Sequence, residues 1–206
     1  MPAYPDPEFA QLRPGLWVWS AYAPSVKTDL FSAAVAASSG IYLIDPIPLA
    51  DSDLLALTQA APISGVIITN ANHQRAALEY SERFRVPVLA HPETIAEVKP
   101  SRPGELSAIA GILESIEIES AVAGEIALYH PENGGTLVVG DALINLEPYG
   151  FAFLPRKYCL NEKAMRRSLR KLLPLAVERI LFAHGTPIVC RAGERLRQLL
   201  EAGPLL

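Results

Sequence analysis

Residues 63–84 read Ile63-Ser64-Gly65-Val66-Ile67-Ile68-Thr69-Asn70-Ala71-Asn72-His73-Gln74-Arg75-Ala76-Ala77-Leu78-Glu79-Tyr80-Ser81-Glu82-Arg83-Phe84, and the fold is read outward from them. Residues 64–68 form a short apolar, β-branched run, which is the pattern of a buried strand. Residues 75–84 carry apolar side chains at helical spacing with no Gly or Pro to interrupt them. Between the two lies a polar loop, residues 69–75, at the carboxyl end of the strand. In open α/β sheets ligands bind in the crevice beyond that end, so the loop is the first candidate for chemistry.

Upstream, residues 16–20 alternate well enough for a first strand. Two apolar runs, 30–37 and 41–44, are joined by Ser38-Ser39-Gly40, a hairpin signal. Asp45-Pro46 ends the second run, because Pro46 lacks an amide donor and pushes its predecessor away from helix. Asp51 or Ser52 is expected to cap a short helix that buries Leu54, Leu55 and Leu57.

Downstream, a strand is expected over 86–90, and His91-Pro92-Glu93-Thr94 opens a helical turn. An irregular connection over 99–105 precedes strands at 115–119, 125–129 and 136–139, with a turn at 131–135. Asn161 caps a helix running to about Leu173, with Met165, Leu169 and Leu172 on one face and arginines on the other. A last strand, 179–183, is broken by His184-Gly185-Thr186-Pro187, and a closing helix occupies 191–200. Strands mixed with helices, hairpins among them, call for a mixed sheet system covered by helices.

A chain of 206 residues, 50% hydrophobic and 19% charged, is globular, and one domain spanning 1–206 is the expectation. A net charge of −4 gives no general attraction to nucleic acid or anionic membrane, and neither is expected as a partner. Cys159 and Cys190 fit no C-x-x-C or disulfide framework and are read as reduced thiols. The longest uncharged stretch, 30–44, is too short to span a bilayer, and the first ten residues lack the pattern of a signal peptide. The expected location is the cytoplasm.

Three polar loops follow buried strands: residues 70–75, Gly140-Asp141-Ala142-Leu143 and His184-Gly185. In order and spacing they resemble the metallo-β-lactamase superfamily, whose members are mostly metal-dependent hydrolases. The family's central loop reads T-H-x-H-x-D-H; a histidine in G-H-x-x-G, a G-D-x-L and a final H-G follow it. The resemblance runs from Leu16 to Pro187 and implies a mixed α/β fold, the αββα four-layer sandwich. Carried over by position, Asp141 and His184 match the family's ligands. Asn70, Asn72, Gln74 and Arg75 stand at the four central ligand positions, and Ala121 replaces the intervening histidine.

Zinc takes three or four ligands from Cys, His, Asp and Glu, and a fixed cation such as Arg75 repels a divalent ion. The motif is therefore degenerate, and no metal cofactor is expected. The alternative is one zinc or other divalent ion on Asp141 and His184 with His73 or Asn oxygens. Asp141 and His184 are the candidate catalytic residues; Asn70, Asn72, His73, Gln74 and Arg75 are the candidate cleft and ligand-binding residues. The resemblance implies that Asn70, Asn72, Arg75, Asp141 and His184 converge on one cleft, and Arg75 is expected to supply to Asp141 the positive charge that metals supply in the family. Each has a structural alternative: Asp141 as a loop cap, His184 as a satisfied imidazole, His73 turned away by alternation.

His91 is expected to be structural and His130 to lie exposed in a turn. The basic set Lys163, Arg166, Arg167, Arg170 and Lys171 is read as a solvated helix face. The leading functional reading is an inactive or non-classical hydrolase homologue, a pseudoenzyme that binds a small molecule or a protein partner and acts in regulation. The alternative is a hydrolase with a remodelled mononuclear or metal-free site at Asp141 and His184. The sequence leaves open whether the chain is an enzyme, and its oligomeric state.

Overall fold

The structure is a computed structural model describing residues 8–148 and 150–202. The chain folds as two compact units, one ending at Glu105 and the other starting at Leu106.

The first unit is a seven-stranded sheet in chain order: β1 (Glu8–Arg13), β2 (Leu16–Ala23), β3 (Thr28–Ala37), β4 (Gly40–Ile44), β5 (Ile63–Ile68), β6 (Val88–Ala90) and β7 (Pro103–Gly104). Tight turns make β1–β4 antiparallel, and longer connections make β4–β7 parallel. Those connections hold α1 (Asp51–Ala60), α2 (Ala77–Phe84) and α3 (Pro92–Val98). The expected hairpin forms between β3 and β4, with Ala37 opposite Gly40. Gly40 is required there, because at φ 126° a Cβ would lie 2.2 Å from Ser64 Oγ.

Two local expectations fail for geometric reasons. The N-cap of α1 is Ala50, without a side-chain cap; Asp51 lies inside the first turn, where its charge meets the positive end of the helix dipole. Leu55 is 57% exposed, since Leu54 and Leu57 share the buried face and Leu55 lies off it. The core joins Trp19, Leu43, Ile47, Leu57, Ile68 and Tyr80.

The second unit holds a four-stranded sheet in the order β13-β10-β9-β8. Its strands are β8 (Glu114–Glu117), β9 (Ile126–His130), β10 (Thr136–Val139) and β13 (Arg179–Phe182). A separate ribbon pairs β11 (Leu143–Leu146) with β12 (Gly150–Phe153), which the sequence reading did not anticipate. Helices α4 (Glu162–Leu169) and α5 (Ala192–Glu201) complete the unit. Asn161 caps α4 as expected, its Oδ1 accepting from Ala164 N at 3.1 Å. A 3-10 turn carries the helix on to Leu172. Met165, Leu169 and Leu172 are fully buried, each contributing roughly 1.5–3 kcal/mol of hydrophobic stabilisation. They pack with Leu137, Ile180 and Leu196.

His130 is buried, against the expectation of an exposed turn residue: it is the last residue of β9, opposite Thr136 of β10. Among the described residues no helix is long and apolar enough to cross a membrane.

Candidate functional site

In the first unit the site grows from the parallel pairing of β4 and β5, which sets Ile44 opposite Ile67. The residues just past both strand ends are therefore neighbours. Asp45 Oδ1 accepts from Thr69 N at 2.8 Å, and Oδ2 accepts from Thr69 Oγ1 at 2.5 Å. His73 Nδ1 lies 3.1 Å from the same Oδ2 and 2.8 Å from Thr69 Oγ1, and all three residues are buried. A carboxylate offers only acceptors and the Thr69 hydroxyl proton points to it, so Nδ1 carries the imidazole proton. In neutral His73 the electron pair is then on Nε2.

Burial works to raise the Asp45 carboxyl. The charge and hydrogen bond of His73, the Arg75 guanidinium and the Thr69 hydroxyl outweigh it and hold Asp45 below the usual carboxylate range.

Asp45 (φ 46°) and Arg75 (φ 41°) both have left-handed backbones, uncommon for residues with a Cβ. The two turns are joined by Arg75 Nη1, which donates to Asp45 O at 2.9 Å and also to Phe31 O at 2.5 Å, and by Ala76 N, which donates to Pro46 O at 2.9 Å. Asp45 O accepts in addition from Ser32 Oγ at 2.7 Å, and Ile47 N donates to that hydroxyl at 2.9 Å. Because Arg75 turns left-handed, α2 begins at Ala77, two residues later than the pattern predicts. Asn70 is fully buried, and its Oδ1 accepts from Asn72 N at 2.9 Å, closing the 3-10 turn at 71–73. Asn72 is exposed, and Gln74 is half-buried.

The second unit repeats the geometry. β10 runs parallel to β13 with Val139 opposite Phe182, so the loops after them adjoin. His184 Nε2 lies 3.2 Å from Asp141 Oδ1. Gly185 holds the loop at φ 109°, where a Cβ would meet Asn145 O at 2.1 Å. His184 O accepts from Asn145 N at 3.1 Å. Glu125, buried to 1% exposure, accepts from Ala142 N at 2.9 Å and steadies the turn after Asp141.

Asp45 and Glu125 are the residues the sequence reading missed as site members. The signal for Asp45 was present: it ends a buried strand next to the central one. Glu125 gave none, since its role rests on a partner 17 residues away.

The remaining candidates resolve simply. His91 is the N-cap of α3, its Nδ1 accepting from Glu93 N at 3.3 Å. Cys159 and Cys190 are free thiols. Burial pushes the Cys159 thiol up, and its Sγ lies 3.5 Å from Arg156 O, which makes it a poor nucleophile.

The family's two-zinc centre does not fit these residues. Asn70 spends its oxygen on its own turn, Arg75 brings a fixed cation, and the fully buried Ala121 has no donor. Among the described residues, neither unit by itself gathers three His, Cys, Asp or Glu atoms around one point.

Comparison with known proteins places these units. Residues 10–203 match the family model of the metallo-beta-lactamase superfamily. Among solved structures, DIM-1 metallo-beta-lactamase superposes with TM-score 0.74 at 14% identity, covering 97% of this chain and 99% of that one. A metallo-beta-lactamase from Pontibacter korlensis gives 0.68 at 17% identity, covering 96% and 100%. FIM-1 from Pseudomonas aeruginosa, in its mono-zinc form, gives 0.69 at 14%, covering 96% of each. At such identities the likeness shows the fold, the metallo-β-lactamase-like mixed α/β class expected from the sequence. No curated protein matches.

Proposed function

The chain belongs to the metallo-beta-lactamase superfamily, and from that premise we propose that it keeps the fold without the two-metal hydrolase chemistry and acts as a binding or regulatory protein. The superfamily usually binds zinc, so the reading rests on the donor set of this chain. The observation that carries it is how the central loop spends its side chains. Asn70 closes a turn, and Arg75 ties the Asp45 turn to β3 through two carbonyls. A loop satisfied in this way presents amides and a guanidinium where the family presents imidazoles and a carboxylate. Such groups suit a neutral or anionic small molecule better than a dication.

The test is metal analysis of protein purified and dialysed without added metal. Well under about one equivalent of zinc is expected, because the central loop offers amides and a guanidinium at the positions where a tight zinc site needs His or carboxylate. About one equivalent retained, and lost in either His184→Ala or His73→Ala, would overturn the reading and establish a mononuclear centre.

A second reading is favoured by one contact, the 3.2 Å pair of His184 and Asp141. A carboxylate on Nε2 leaves the electron pair of neutral His184 on Nδ1 and stabilises an imidazolium, the arrangement of a general base. In this metal-free hydrolase His184 would take a proton from water, with Asp141 holding the ring. Hydrolysis that survives chelation and disappears in His184→Ala would favour it over the first reading.

A further inference from the structure

The net charge of −4 is unevenly distributed. Residues 156–171 hold seven of the 18 Lys and Arg and one acid, Glu162. Some of these cations are internally engaged: Arg166 pairs with Glu162 at 2.6 Å, and Lys171 with Glu119 at 2.7 Å. Arg156, Lys163 and Arg167 are exposed and form no ion pair among the described residues. Lys163 and Arg167 stand four residues apart on α4, so they share the face opposite Met165 and Leu169.

The loop leading into α4 adds a second feature. Tyr158 is 59% and Leu160 72% exposed, two of the few large apolar side chains the described surface shows to water. The loop is not slack: Tyr158 N donates to Pro155 O at 2.8 Å, Leu160 N to Ala121 O at 2.9 Å and Asn161 N to Ser120 O at 3.0 Å. A pinned backbone therefore holds Tyr158 and Leu160 outward, next to Arg156 and at the N-terminus of the cationic helix.

We propose that the 156–160 loop and the basic face of α4 form a docking surface for an anionic lipid bilayer. Cations attract the headgroups at about fivefold in affinity per Lys or Arg close to the surface. Aromatic and aliphatic side chains beside them settle at the boundary with the acyl chains. A nucleic acid would use the cations and leave Leu160 in water, and an acidic peptide would do the same; the bilayer uses both features. The acidic remainder of the chain limits the attraction to this face, so attachment is peripheral and reversible.

The experiment is co-flotation of the full chain with phosphatidylcholine vesicles, with and without about 30% phosphatidylserine, the salt dependence being read at ionic strengths that screen beyond a few ångströms. Binding is expected on the anionic vesicles alone, and high salt should remove it. The exposed double variant Lys163→Glu/Arg167→Glu should weaken it by about 25-fold or more, following the per-cation factor. Tyr158→Ser/Leu160→Ser should weaken it at least about fivefold, by loss of apolar insertion. Melting curves of both variants should match the parent, as all four side chains are exposed.

No binding of the parent to anionic vesicles overturns the proposal, as does binding that either double variant leaves unchanged. Equal binding to RNA or poly-glutamate that ignores Tyr158→Ser/Leu160→Ser makes the face a general polyanion site, which overturns it too.

Discussion

Each unit contains one Asp–His pair built by the same rule, yet the two differ in what holds them. Both pairs arise where two parallel strands end side by side and the next residues must share a loop. In the first unit Asp45 meets Nδ1 of His73 with both side chains 3% exposed, and Thr69, Arg75 and Ser32 bond the same turn. In the second, Asp141 meets Nε2 of His184 with side chains 12% and 19% exposed. The first pair is bound into the core of its unit, and the second lies closer to solvent. A buried, hydrogen-bonded carboxylate is costly to strip from its partners, whereas a more exposed one is cheaper to alter. The contrast separates a pair bound into the core of its unit from one that lies nearer solvent.

The largest effect is expected from Asp45→Ala. It leaves His73 Nδ1 and the Thr69 amide without their acceptor, and urea denaturation should show a loss of about 3–5 kcal/mol. A loss under about 1 kcal/mol would erase the contrast. Acid sharpens the same comparison. The folded Asp45 carboxyl titrates below its ordinary 3.8, so its contribution is complete above that value and lost as pH falls through the folded pKa. The gap between the parent and Asp45→Ala should narrow below about pH 4, and a gap that widens there would contradict the assignment.

Next in size is Gly185→Ala. At φ 109° a Cβ would run into Asn145 O, and the strained backbone should cost about 1–3 kcal/mol. His184 is its neighbour, so any activity assigned to the second pair should fall with it; full activity in a folded Gly185→Ala variant would detach the glycine from the site. The smallest effect is expected from Asp141→Asn, about 1 kcal/mol, since an amide keeps the shape and one acceptor. If it rivals Asp45→Ala in the same urea series, the second pair is architectural as well.

Much of the fold could be read from residues 63–84 outward, because burial on both faces of β5 demands a continuous apolar run and the polar loop must follow it. The hairpin at Gly40 and the cap at Asn161 were legible because each rests on contacts within a few residues, and the strand at 136–139 because it is a continuous buried apolar run. The ribbon of β11 and β12 was not, since its strands are only partly buried and alternate weakly.

The sequence by itself determined the mixed α/β class, the three loops at strand ends and the amides and guanidinium that stand at positions 70, 72, 74 and 75. Those are matters of which side chain stands where along a period. Only the tertiary structure decided that the Asp45 carboxylate meets the 69–75 loop, that Arg75, with its left-handed backbone, donates to the Asp45 carbonyl, and that His73 is buried against the carboxylate. The partners are 28 and 30 residues apart, and what brings them together is the parallel register of β4 and β5. No local pattern encodes that register; it follows from how a whole sheet hides its apolar faces.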